Sequence, residues 1–166
     1  MNGRTLGRFA AIFLVLVLTV GASAAVPGGN VLVVSDAETG EDLLTVPVSE
    51  GTTVAIEYTH SVEKTQVIDE YTVRGDELEM TRMVFHSFGA GLPARADVRH
   101  VNGSYVFDPP GSYEEFYVKP GHVAGHELRV GDETYDLVAL SDARSVRLSI
   151  EQRSLLDRAL PAFTRQ

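Results

Sequence analysis

Thr53-Val54-Ala55-Ile56-Glu57-Tyr58-Thr59-His60 and, after a polar turn, Val67-Ile68-Asp69-Glu70-Tyr71-Thr72-Val73 decide the fold. In the first stretch Val54, Ile56 and Tyr58 alternate with Ala55, Glu57 and Thr59, the period of two that a half-buried strand requires. By that period His60 falls on the apolar side and Ser61 on the other. Arg74-Gly75-Asp76 then turns the chain into residues 78–85. Three consecutive strands joined by short polar turns predict an antiparallel meander.

Working outward, residues 31–35 and 43–48 form apolar runs separated by Asp36-Ala37-Glu38-Thr39-Gly40, which predicts an opening hairpin. Beyond the meander lie shorter strand candidates at 96–101, 104–107, 115–119, 127–130, 134–138 and 146–151. They are punctuated by Asn102-Gly103, Asp108-Pro109-Pro110-Gly111, Lys119-Pro120-Gly121 and Gly131-Asp132. The expected class is all-β, an antiparallel β-sandwich or barrel-like meander of about 8–10 short strands. Only residues 153–163 have helical spacing, with Leu155, Leu156 and Leu160 on one stripe and Pro161 as the stop, which predicts a short C-terminal helical turn.

Arg4 and Arg8 precede an uncharged run over 9–20 and the small residues Ala22-Ser23-Ala24, the order of a secretory signal. Because the uncharged stretch continues to Pro27, and roughly 20 residues span a bilayer, residues 1–25 read either as a cleaved signal peptide or as an N-terminal membrane anchor. Export to the outer face of the membrane, the periplasm or the exterior is expected in both cases. Pro27-Gly28-Gly29-Asn30 reads as a linker, 31–151 as a single β domain and 152–166 as a C-terminal tail.

The chain has no cysteine, which excludes disulfides, thiolate metal sites and a cysteine-borne lipid anchor. Its formal charge is −9 at pH 7, and becomes −11 without Arg4 and Arg8. Such a surface repels nucleic-acid backbones and anionic headgroups, so neither is an expected partner. Twelve arginines against two lysines, Lys64 and Lys119, in an acidic chain also suit work in concentrated salt, where screening removes self-repulsion.

His60-Ser61 and His86-Ser87 invite a base and nucleophile reading, but adjacent side chains in a strand point to opposite faces. A cross-strand pair of His60 with Ser87 remains as a hydrolase alternative. Without an elbow or an orienting acid, no catalytic residue is assigned. His122 and His126 stand at a metal-pair spacing for a helix, but Gly121 and Gly125 disfavour helix there. Glu57, Glu63, Asp69 and Glu70 lack calcium-loop spacing and read as solvated acids, so neither metal nor cofactor is expected. Gly89-Ala90-Gly91 lacks the third glycine of a dinucleotide loop. It can form a backbone N–H nest for a carboxylate, with Lys64 adding charge, or a tight corner filled by Phe88 and Leu92.

His60-Ser61-Val62-Glu63-Lys64-Thr65, then Val67, Glu70 and Tyr71, then Phe88-Gly89-Ala90-Gly91-Leu92-Pro93 closely resemble domain-of-unknown-function family 1850, over roughly residues 31–151. The resemblance implies a small exported protein encoded beside tripartite ATP-independent periplasmic (TRAP) transporters of the TAXI receptor type. Its biochemical role is unassigned, so no catalytic residue is carried over. Gln66 departs from the family pattern, where proline is usual. The resulting expectation is an extracytoplasmic, non-catalytic accessory domain that engages a TAXI-type receptor, a TRAP permease or a small carboxylate. Its face would be drawn from His60, Ser61, Glu63, Lys64, Thr65, Glu70, Gly89, Ala90 and Gly91. The alternative is a stand-alone module that binds a small anion.

Overall fold

The alternating runs become strands in the computed structural model, which describes residues 27–87 and 97–154. The chain divides into two units, and Asn30–Glu151 is the unit built from the strands that follow. In chain order these are β1 (Pro27–Asp36), β2 (Asp42–Pro47), β3 (Thr53–Thr59), β4 (Gln66–Arg74), β5 (Glu77–Phe85), β6 (Arg99–Val101) and β7 (Ser104–Phe107). They continue with β8 (Ser112–Tyr113), β9 (Glu115–Val118), β10 (Glu127–Val130), β11 (Glu133–Asp136), the helix α1 (Leu137–Ser141) and β12 (Val146–Ser154).

A four-stranded sheet runs in the order β2-β1-β12-β9. A larger one runs β11-β10-β3-β4-β5-β7-β6, with β8 on β5. The hairpin β1–β2 and the meander β3–β4–β5 are antiparallel, as the alternation predicts. The all-β class holds, with more strands than the expected 8–10 because short pairs such as β8 carry too few residues to show a period.

Two expectations are corrected. Residues 134–138 do not continue as one strand, because Asp136 accepts from the N–H groups of Val138 and Ala139 and starts α1. A side-chain oxygen that satisfies orphan donors favours a helix start over another ladder residue. At the C-terminal end, β12 runs through Arg153 and Ser154, where the helical stretch was expected to begin. The remainder of that stretch, like residues 1–26, lies outside the described residues.

The inner faces of the two sheets share one apolar cluster. The large sheet supplies Val54, Ile56, Val73, Leu78 and Leu128, and the small sheet supplies Leu32, Val34, Val146 and Leu148. A bulge between Glu70 and Tyr71 shifts the β4–β5 register, so β5 turns Leu78 and Met80, then Met83 and Phe85, toward the inner partners on β4. A second, smaller cluster has Val67 and Phe85 fully buried, with Tyr58, Met83, Val98, Tyr105 and Phe107 around them. Asp36 is buried at the end of β1, where it accepts from Glu38 and Thr39 N–H and pairs with Arg144. The bonds from Thr39 and Glu38 hold its carboxyl below the usual range, so it closes the first hairpin as an anion.

Candidate functional site

The β3–β4 turn contains most of the residues singled out by sequence, and its geometry starts with His60. The His60 N–H donates to the Thr65 carbonyl at 2.8 Å and the Lys64 N–H donates to the His60 carbonyl at 2.9 Å. Lys64 takes the left-handed conformation at φ 56° that closes the loop. The Glu63 N–H donates to His60 Nδ1 at 3.1 Å, so the imidazole fastens the turn, and Nε2 carries the ring proton. His60 is half-buried just past the end of β3, while Ser61, Val62, Glu63 and Lys64 are exposed.

Thr65 Oγ1 lies 3.0 Å from Ser87 Oγ. Ser87 is the last described residue before Phe88, so the turn bonds the residue that precedes the glycine-rich segment. Gly89, Ala90 and Gly91 themselves lie outside the described residues. The hydroxyl partner of Ser87 is therefore Thr65, from the far side of the turn. His86 fixes the same corner: its Nδ1–H donates to the Gln66 carbonyl at 3.1 Å, and Ser104 Oγ bonds Nε2 at 3.2 Å. These contacts tie together the starts of β4 and β7 and the end of β5.

The connection between β9 and β10 completes this end of the large sheet. Thr59 N–H donates to the Ala124 carbonyl at 2.8 Å. His126 stacks on Tyr58 with ring centroids 5.0 Å apart, and its Nδ1 accepts from the Gly121 N–H at 3.3 Å. Burial pushes the His126 pKa down, which suits a neutral ring accepting at Nδ1. His122 and Val123 belong to a turn, and among the described residues no group of three histidine or acidic side chains could hold a metal ion.

Glu70 is not part of this end. It lies on the outer face of the sheet midway along β4, 3.3 Å from Arg82 and 3.9 Å from Arg129, and Arg129 is 2.6 Å from Glu57. Gln66 donates to Glu57 at 3.1 Å, so the side chain that stands where proline is usual joins the same outer-face network.

Asp69 corrects the reading of these acids as uniformly solvated. On β4 it pairs across the ladders with Ile56 and Met83 and shares the inner face with Val67 and Tyr71. Its Oδ1 is buried without a hydrogen-bond partner among the described residues. Burial raises the carboxyl to about pKa 6. Burial, followed by the Asp69 charge, pushes Tyr58 up to about 12. Strand parity alone places Asp69 beside Val67 and Tyr71, and that was the signal available for finding it.

Among the described residues no helix is long and apolar enough to cross a membrane. A shallow groove lined by Val46, Pro47, Thr52 and residues 130–133 opens where β3 begins and β10 ends, away from the histidine turn. A family model described as a domain of unknown function (DUF1850) matches residues 54–137, half of the chain, and that span contains all the loops just described. No curated protein and no solved structure matches the chain.

Proposed function

We propose, for a chain that belongs to the DUF1850 family of domains of unknown function, an extracytoplasmic, non-catalytic accessory role beside a TAXI-type TRAP transporter. The β3–β4 turn and the glycine-rich segment would together face the receptor, the permease or an organic-acid solute. The hydrogen bond between Thr65 and Ser87 carries this reading, because it supports a meeting of the first motif with the chain that leads into the second at Phe88. Export is supported by the order of charge, apolar run and small residues over 1–25, and a concentrated-salt setting by the acidic, lysine-poor composition.

A binding role is favoured over hydrolysis by how the imidazoles are used. His60, His86 and His126 each bond a backbone or side-chain group that holds a loop, and Ser87 bonds a threonine rather than a base. Hydrolysis by a serine needs a base on the nucleophile and an acid behind the base.

The test is affinity capture of the tagged full-length chain from gently solubilised membranes in high salt, read by mass spectrometry. Enrichment of a TRAP permease or TAXI receptor is expected. Lys64→Asn, which removes the charge and tolerates a left-handed backbone, should lower solute uptake while leaving the melting temperature within a few degrees. Recovery of the chain alone, with uptake unchanged, would overturn the accessory role in favour of a stand-alone anion-binding module.

A further inference from the structure

Both lysines and all five histidines of the chain gather around one end of the large sheet. His60 and Lys64 are in the β3–β4 turn and His86 follows β5. His100 is on β6, and Lys119, His122 and His126 lie between β9 and β10. Arg74, Arg82, Arg99, Arg129, Arg144 and Arg147 are each held by a carboxylate. Neither lysine forms an ion pair among the described residues. The same rim carries exposed aliphatic side chains: Val62 is 70% exposed, Val123 75% and Val101 44%.

Val62 is three residues from Thr59 and Val123 one from Ala124. The bond between Thr59 and Ala124 therefore keeps the two tips within roughly 20 Å by chain length alone. Both loops are fixed from within, through His60 Nδ1 in one and His126 Nδ1 in the other. Such tips lose little freedom on binding, so the apolar area they bury is not spent on ordering them.

We propose that this rim is a protein-docking surface, contacted chiefly through Val62 and Val123, for a partner whose apolar patch is bordered by carboxylates. The proposal rests on the accessory reading above and adds the β9–β10 loop and the chemistry of the partner. Ammonium groups without an ion pair among the described residues, beside exposed valines, match carboxylates beside an apolar patch. Glu63 next to Lys64 keeps the rim mixed, so the lysines orient the partner and the valines supply the apolar area. A lipid surface fits less well: the chain has no tryptophan, and its exposed tyrosines Tyr113 and Tyr117 lie on β8 and β9.

The experiment places a photo-crosslinking benzoylphenylalanine at Val62, at Val123 or at the exposed Thr45 of β2 in otherwise wild-type full-length chain, illuminated in native membranes. Crosslinks from Val62 and Val123, but not Thr45, to an Asp- and Glu-rich peptide of a receptor or permease are expected. Val62→Asp with Val123→Asp should then lower capture of that protein by about a hundredfold, roughly tenfold for each valine replaced. Capture that survives the double substitution, or crosslinks from Thr45 alone, would overturn the rim while leaving the accessory role standing. Crosslinks to lipid only would overturn the protein partner. Absence of receptor and permease from wild-type capture would remove the accessory role and the rim together.

Discussion

Leu148 and Phe107 are both apolar side chains turned into the domain, yet among the described residues the first lies between two sheets and the second beneath one. Leu148 belongs to the cluster in which β1 and β12 face β3, β4, β5 and β10, and it is fully buried. Phe107 belongs to the smaller cluster, whose described members come from the large sheet and from Val98 beside it, and it is only partly buried. Among the described residues, the small sheet thus covers the large one at Leu148 and not at Phe107. Asp69 sits between the two regions, with Ile56 of the covered cluster on one side and Met83 of the thin one on the other.

Urea unfolding can break this comparison. Leu148→Ala should cost about 4 kcal/mol, since a cavity between two sheets collapses poorly. An equal loss from Phe107→Ala would mean that the two clusters are equally closed.

The seam responds to pH. Asp69 is raised from its ordinary 3.8 to about 6 in the folded chain, so its stabilising share is complete below pH 3.8 and is lost as the pH rises through 6. The loss is on the order of 3 kcal/mol by pH 8. Asp69→Asn should therefore be more stable than the wild type at pH 8, with the advantage shrinking to nothing near pH 4. A constant difference between pH 4 and pH 8 would show that the carboxyl is hydrated.

Phe107→Ala, in the thin cluster, should cost about 2 kcal/mol, half of what a fully enclosed ring gives up. The smallest effect belongs to the loop tips. Val62→Ser should change stability by less than about 0.5 kcal/mol, because its side chain already faces water. A larger drop would show that Val62 packs against the fold and is unavailable for docking.

Legibility in the sequence followed local periodicity. The hairpin β1–β2, the meander β3–β4–β5 and the short strands β7 and β10 were readable, because alternation and turn residues act within ten residues of one another. Helix α1 was not, since five residues carry no helical period and its only signal is the capping carboxylate of Asp136. His60 was readable as a turn-adjacent residue of interest, but its role as an acceptor from Glu63 N–H depends on the closed loop.

The all-β class, the acidic and cysteine-free composition, and the resemblance carried by residues 60–71 and 88–93 follow from the amino-acid order, because composition and strand period are properties of the chain alone. The folded chain had to show that Thr65 meets Ser87, that His126 stacks on Tyr58, that the buried Asp69 Oδ1 finds no hydrogen-bond partner among the described residues, and that Thr59 bonds Ala124. Each of these depends on which strands pair and which sheet covers which. Partners such as Thr59 and Ala124, 65 residues apart in the chain, are brought together by ladder register, which no local pattern encodes.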